Sequence, residues 1–531
     1  MRKVIYPQAI ISHKNALDVE NLKIRKSMQV GFFENTISAI LPGGFILLDF
    51  GKQITGSLRL VTWFTDGDKK VRVAYGESVS EAISSLGLDG TEYGKSMRSY
   101  IYPLQNLTDL TFTECGFRFV LIEAIGKTTI RIKNAVVIPS VYGKSFTGSF
   151  HCDDPLLNRI YDTSAYTLRL CLRNDVIWDG TRGNGLVWAG DLSPDILALN
   201  CLYGRSVHAE KALAFLYNES PLPIWMNNIP SYSLWWIITL RDQYLHNGNA
   251  NDLTRYGTYL SALVEQIGGC VSENGEITWS NNFFDNYTQY GRKETDEVKK
   301  NDEAAGIHAL TVYALRCAKE LLAYRGLDTE DCNGILVRLC RKSFAVKKFS
   351  QSASLRVFAG IGDENDRALL LQNGAGGMTP FLSYYIARAV SDSENIDSAI
   401  GMMKKFYGAM LSLGATSFWE HFDMASAENA GRIDELPEDG KTDIHKTLGL
   451  NHSLCHGWSC GPIPFLTYVV GGIQILKPGC REIRIAPKLG HLRHVKITYP
   501  TPYGILRVEH TRMEDGSIRT EIDAPDGVRI V

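Results

Sequence analysis

The feature that most constrains this chain is a change of hydrophobic period at Asp153-Asp154-Pro155. Before it, apolar and polar residues alternate, which puts every second side chain on one face of a strand. After it, apolar residues recur at three- and four-residue intervals, as in Leu156-Leu157-Ile160-Tyr161-Thr163-Ala165-Leu168-Leu170, the spacing of an amphipathic helix. Past Gly472 the alternation returns. A chain of 531 residues is too long for one core. The expected organisation is therefore multidomain: an N-terminal β-sandwich over 1–148, a helical domain over 149–474 and a small C-terminal β-domain, also a sandwich, over 475–531.

The first part carries the runs Gly44–Phe50, Ser57–Trp63, Val71–Tyr75 and Phe117–Glu123, separated by Gly, Asp and Asn turns. Many short strands punctuated in this way predict a sandwich. In the middle, helices are predicted around Ala212–Tyr217, Leu234–Tyr244, Tyr259–Ile267, Ala304–Tyr324, Ile335–Phe344, Phe381–Val390, Met402–Leu413 and Ile463–Ile473. About eleven candidates precede residue 475, close to the twelve that paired helices need to close a ring. Their uneven spacing and lack of repeat disfavour a solenoid. The tail alternates again at Arg481–Pro487, Val495–Tyr499 and Gly504–His510.

With 56 basic and 58 acidic residues and no block of like charge, nucleic acid and anionic membrane are excluded as main partners, and a neutral substrate fits better. The 11 cysteines are scattered without a C-x-x-C pair, the pattern of buried thiols in a reducing compartment. Cys455, His456 and Cys460 do not complete a structural zinc site, so no metal or other cofactor is expected. The first residues carry charge but no signal-like apolar run, and no stretch approaches the ~20 apolar residues of a membrane span. The expectation is a cytoplasmic protein, or a periplasmic one if a leader has been trimmed.

Gly374-Ala375-Gly376-Gly377 lacks the Lys-Ser/Thr of a phosphate loop and reads as a helix connection; no H-E-x-x-H or G-x-S-x-G occurs. Asn106-Leu107-Thr108 and Asn286-Tyr287-Thr288 match glycosylation sequons, which mean nothing without secretion. What remains is a set of loops that combine acids with rings. Trp178–Asp191 places Asp179 and Asp191 around four glycines, with Trp188 near the second acid. Gly414–Asp423 presents Glu420 next to Trp419, and Leu450–Ser459 supplies His452, His456 and Trp458. Trp225, Trp235, Trp279 and Asp285 complete the candidates. Each ring taken singly can equally fill a core. Acids and rings at successive helix connections are what sugar cleavage needs: one carboxyl to protonate the leaving oxygen, another to activate water or attack carbon, and rings to hold the sugar face.

These residues also resemble a family. Asp49–Leu60, Tyr75–Ala82 and Cys115–Val120 are similar to β-domain signatures of the inverting α-L-rhamnosidases. Trp178–Asp191, Gly414–Glu420 and Ser453–Gly461 are similar to their active-site motifs, and Pro478-Gly479 and Thr501–Gly504 to their C-terminal β-domain. The resemblance implies a central (α/α)6 barrel and hydrolysis of terminal rhamnose from oligosaccharides or glycosides. It makes Glu420 the general base, Asp179 a carboxylate holding sugar hydroxyls, Trp188 a stacking wall, Asp191 an orienting acid and His456 a hydroxyl ligand. The sequence departs from the family after Asp179. Asn184, in Gly183-Asn184-Gly185, stands where the general acid is expected. An amide donates hydrogen bonds but cannot hand over a proton at neutral pH. Three outcomes are open: Asp179 or Asp191 has taken the role, the leaving group needs little protonation, or the protein binds sugar without cleaving it.

Overall fold

The computed structural model describes residues 4–64, 67–84, 98–140, 145–173, 176–182, 186–279, 297–393, 395–437 and 441–531. The chain divides into two compact units. One is built from Met1–Tyr142, Gly180–Gly185 and Met410–His456, the other from Gly143–Asp179, Leu186–Ala409 and Gly457–Val531.

The first unit is organised on a seven-stranded sheet in the order Ala9–Leu17, Ser38–Thr62, Cys115–Ile125, Lys69–Gly76, Ser99–Leu104, with Asp109–Thr111 and Ile130–Pro139 also paired to the long second strand. That strand bends. Its register against Cys115–Ile125 shifts between Asp49 and Ile54, and Gly51 sits there at φ +86°, a left-handed conformation that a side chain disfavours. Alternate residues Ile46, Leu48, Val71, Val73, Val120 and Ile122 are fully buried in one core, each worth roughly 1.5–3 kcal/mol relative to exposure. Leu47, Ala74, Phe119 and Leu121 face a second cluster with Val79 and Ala82. Both faces of the sheet are covered here, which explains why Phe45-Ile46-Leu47-Leu48 reads as a continuous apolar run.

In the second unit the change of period at Asp153 is a helix start. Asp154 accepts hydrogen bonds from the amides of Leu156 (2.9 Å) and Leu157 (3.2 Å), and Pro155 opens the helix Pro155–Cys171. Helices Leu192–Leu202, Val207–Glu219, Pro230–Asn247, Ala250–Gly269 and Glu297–Arg325 follow, then shorter ones to Ser383–Asp392 and Ile396–Ser412. The predicted helix Ile335–Phe344 ends at Leu339. The predicted Ile463–Ile473 is a short α-turn at Pro462–Pro464 and a π-turn at Phe465–Val470. It stops at Gly471-Gly472, with Gly472 at φ +73°, so that Ile473 already begins a strand. Gly374–Gly377 forms a 3-10 turn between two helices.

The tail forms two sheets. Ile473–Lys477 pairs with Glu482–Ile485, which pairs in parallel with Arg529–Ile530. His494–Thr501, Gly504–Arg512 and Ile518–Asp523 form an antiparallel sheet. Its fourth strand, Ser149–Cys152, precedes the helices of this unit in sequence. Among the described residues, no helix is long and apolar enough to cross a membrane, and no group of three or more His, Cys, Asp or Glu is placed to hold a metal ion.

Candidate active site

In the first unit, Glu420 is built into a short two-strand pairing. Its amide donates to the Ser453 carbonyl at 2.8 Å, the His456 amide donates to the Phe418 carbonyl at 3.0 Å, and the Ser417 hydroxyl donates to the Leu454 carbonyl at 2.7 Å. The pairing closes back on the carboxylate, because the Ser453 amide donates to Glu420 Oε2 at 2.7 Å. His452 Nδ1 lies 3.7 Å from Oε1, and the side chain keeps 23% of its surface exposed. Burial pushes the Glu420 pKa up; the facing His452 ring, the charge of His456 and the Ser453 amide together outweigh it and hold the group at about 2. Glu420 is therefore an ionised carboxylate with one face toward water. Trp419 beside it is fully buried, its ring edge-on to Phe422 at 5.6 Å, and belongs to the core as placed.

The loop reaches this position through two anchors. Gly414 turns it at φ +95°, and a Cβ there would stand 2.7 Å from Asp434. Arg118 Nη1 donates to the Gly414 carbonyl at 3.1 Å while its other nitrogens bind Asp49 (2.9 Å) and Asp434 (3.1 Å). The Gln53 amide donates to Thr416 Oγ1 at 2.9 Å. Beneath Ser453 lies a buried polar cluster of Glu77, Glu81, Thr181, Arg182 and His445. Arg182 donates to Glu77 Oε2 (3.1 Å) and to the His452 carbonyl (2.7 Å). Burial and the Arg182 charge lower the His445 pKa to about 3, so this imidazole is neutral, and its Nδ1 meets the Ser78 hydroxyl at 2.8 Å. His456 is buried, and its backbone bridges to Gly180.

In the second unit, Asp179 and Asp191 flank the other predicted loop. The Asp179 amide donates to Leu186 O at 3.3 Å, and its carbonyl accepts from the Gly457 amide at 2.8 Å. The Asn227 side chain clamps the loop, donating to Val187 O (3.0 Å) and accepting from the Ala189 amide (2.9 Å). Trp188 is half-buried and meets Tyr232 edge-on at 6.1 Å. Asp191 is 3% exposed at the start of the helix Leu192–Leu202. One turn later stands Asp195, fully buried, with neither carboxyl oxygen hydrogen-bonded to the described residues. Burial, then the nearby charge of Asp179, push its pKa well above the usual carboxylate range. Trp225 is half-buried and edge-on to the buried Trp279 at 5.7 Å. Trp235 is a core ring, packed on Phe381 and Tyr385. Asn184 and Asp285 lie outside the described residues.

Residues 472–531 match the family of the bacterial alpha-L-rhamnosidase C-terminal domain. No curated protein matches the sequence. Among solved structures, a GH78 family rhamnosidase of Bacillus sp. GL1 superposes with a TM-score of 0.74 over 97% of this chain and 55% of its own, at 18% identity. The Streptomyces avermitilis alpha-L-rhamnosidase complexed with L-rhamnose gives 0.72 over 99% of this chain and 49% of its own, at 14% identity. The chain has the fold of the α-L-rhamnosidases. A rhamnosidase from Klebsiella oxytoca with rhamnose bound is similar along nearly its whole length, covering 88% of this chain and 95% of its own at 19% identity and a TM-score of 0.66. The chain spans about half the length of the first two relatives.

On this rhamnosidase fold the structure adds residues that sequence reasoning passed over. Glu77, Arg182 and Ser453 form the support of Glu420, and Asp195 lies behind Asp179. Glu77 directly follows a strand and reads as a turn residue, although Tyr75–Ala82 is similar to a family signature. Asp195 reads as an ordinary first-turn acid on a helix.

Proposed function

We propose that the protein is a glycoside hydrolase of α-L-rhamnosidase type that removes terminal rhamnose from oligosaccharides or glycosides with inversion, Glu420 activating the attacking water. The N-terminal 1–148 region is read as a β-sandwich, 149–474 as an (α/α)6-barrel catalytic domain and 475–531 as a small β-sandwich. The observation that carries the reading is the state of Glu420: an ionised, partly solvated carboxylate whose Oε2 is fixed by a backbone amide at 2.7 Å. A base must be unprotonated and aimed, and this group is both. Asp179 and Asp191 are the candidate proton donors, and Trp188 and His456 the sugar-binding side chains. Trp225, half-buried, retains ring surface for an aglycone or second sugar.

Asn184 supports a second reading, a catalytically silent carbohydrate-binding protein on the same fold. The test uses p-nitrophenyl and natural α-L-rhamnosides with wild type, Glu420→Gln and Asn184→Asp. The hydrolase reading expects turnover that falls ~10²–10⁴-fold in Glu420→Gln. L-rhamnose binding with no turnover in either wild type or Asn184→Asp gives the second reading instead.

A further inference from the structure

The Ser453 amide holds Glu420 Oε2 at 2.7 Å, and the His452 ring faces Oε1 with Nδ1 at 3.7 Å. Both lead to one residue in the N-terminal part of the chain. Glu77 has a side-chain exposure of 0%. It leaves the strand Lys69–Gly76 at a turn that only glycine permits, since a Cβ on Gly76 would stand 2.4 Å from Ser78 O and 2.5 Å from Ala82 N. Its Oε1 accepts from Gln53 Nε2 (2.8 Å) and Thr181 Oγ1 (2.9 Å); its Oε2 accepts from the Leu454 amide (2.7 Å) and Arg182 Nε (3.1 Å). The Ser453 hydroxyl lies 3.2 Å from both oxygens.

Given the reading of Glu420 as base, we propose that Glu77 is its positioning residue, acting on both carboxylate oxygens through two separate routes. The first runs from Glu77 to the Leu454 amide and Ser453 hydroxyl, and from Ser453 to Glu420 through a reciprocal pair: Ser453 N to Oε2 at 2.7 Å and Glu420 N to Ser453 O at 2.8 Å. The second runs through Arg182, which bridges Glu77 to the His452 carbonyl at 2.7 Å and so sets the ring that faces Oε1. A buried carboxylate serving stability alone needs one cation. Glu77 has that cation in Arg182 and in addition spends Oε2 on the backbone amide next to the one that holds the base. His452 and His456, which lower the Glu420 pKa, both come from the 452–456 turn, as does the Ser453 amide, so a displaced turn weakens the interactions that keep Glu420 ionised.

The variant is Glu77→Gln, which sets an NH2 or a weaker acceptor against the Leu454 amide and Arg182. Two readouts are taken on the full chain. Carbon-13 NMR of side-chain-labelled glutamate follows the carboxyl resonance that is missing from Glu420→Gln; its titration midpoint is expected to rise by ~1 unit in Glu77→Gln. Rhamnoside hydrolysis is expected to lose kcat by ~10²-fold with KM changed far less, the signature of a misplaced catalytic group. Val73→Ala in the sheet core serves as a destabilised control that leaves the midpoint unmoved. Should Glu77→Gln not fold, Ser453→Ala removes the hydroxyl branch of the first route, and the midpoint and kcat are read in the same way. An unmoved Glu420 midpoint in the folded variant overturns the proposal. Wild type that hydrolyses no rhamnoside overturns the base reading, while the midpoint still decides whether Glu77 positions Glu420.

Discussion

Glu420 in the first unit and Asp195 in the second are carboxyls withdrawn from water, and they end in opposite states. Burial pushes both pKa values upward. Around Glu420 a backbone amide at 2.7 Å and two imidazoles overturn that push and bring the group to about 2. Around Asp195 the described residues bring no donor to either oxygen, and the neighbour whose charge acts on it is another acid, Asp179. Burial alone therefore does not decide whether a carboxyl is charged; the donors delivered by the surrounding backbone do.

The comparison can be broken most severely at Glu420 itself. Its folded-state pKa lies below the unfolded value of ~4.3, so its stabilisation is present above the unfolded pKa and is lost as pH falls through about 2. The difference amounts to on the order of 3 kcal/mol at neutral pH. Urea unfolding of Glu420→Gln as a function of pH is expected to show a flattened acid limb, and curves parallel to wild type would refute the ionised assignment. A smaller effect is expected from Gly457→Ala. A Cβ there would stand 2.6–2.9 Å from all three carboxyl atoms of Asp195, costing ~1–3 kcal/mol, read as a fall in the urea midpoint. An unchanged midpoint would mean that the pocket around Asp195 is looser than these contacts.

A near-isosteric change sharpens the contrast. Asp195 has a folded pKa above its unfolded value of ~3.9, so its contribution is fully present below the unfolded pKa and is lost as pH rises through the folded pKa. Asp195→Asn keeps the shape and has no proton to release. Its stability is expected to equal that of wild type in acid and to exceed it increasingly toward neutral pH, by up to ~1.4 kcal/mol per pH unit. A variant less stable than wild type at neutral pH would show that Asp195 is ionised and paired after all.

Much of the architecture was legible in the chain because it rests on local signals. The Asp154-Pro155 cap, the alternation at Val71–Tyr75 and the helical period over Ala304–Tyr324 all reappear as elements. The early end of the helix predicted to Phe344 is a boundary effect of a kind that periodicity resolves poorly. Among the candidate residues, the loops around Glu420 and around Asp179 each stood out through their acids and rings. Burial could not be read there: Trp419 and Trp235 carry the same indole as Trp188, yet their neighbours fill the core around them. Glu77 and Asp195 were hidden for a related reason. What distinguishes them is which distant groups arrive, with Leu454 lying 377 positions from Glu77, and no local pattern encodes that.

The same separation has a consequence in time. At a synthesis rate of ~5–20 residues per second, 377 residues take roughly 20 to 75 s to emerge. Arg182 follows Glu77 by 105 residues, so for only the later part of that interval can the two pair while their remaining donors are still to be made. The Glu420 carboxylate meets the Ser453 amide only when the last third of the chain has been made. A nascent or truncated chain would present the sheet long before it could present this carboxylate.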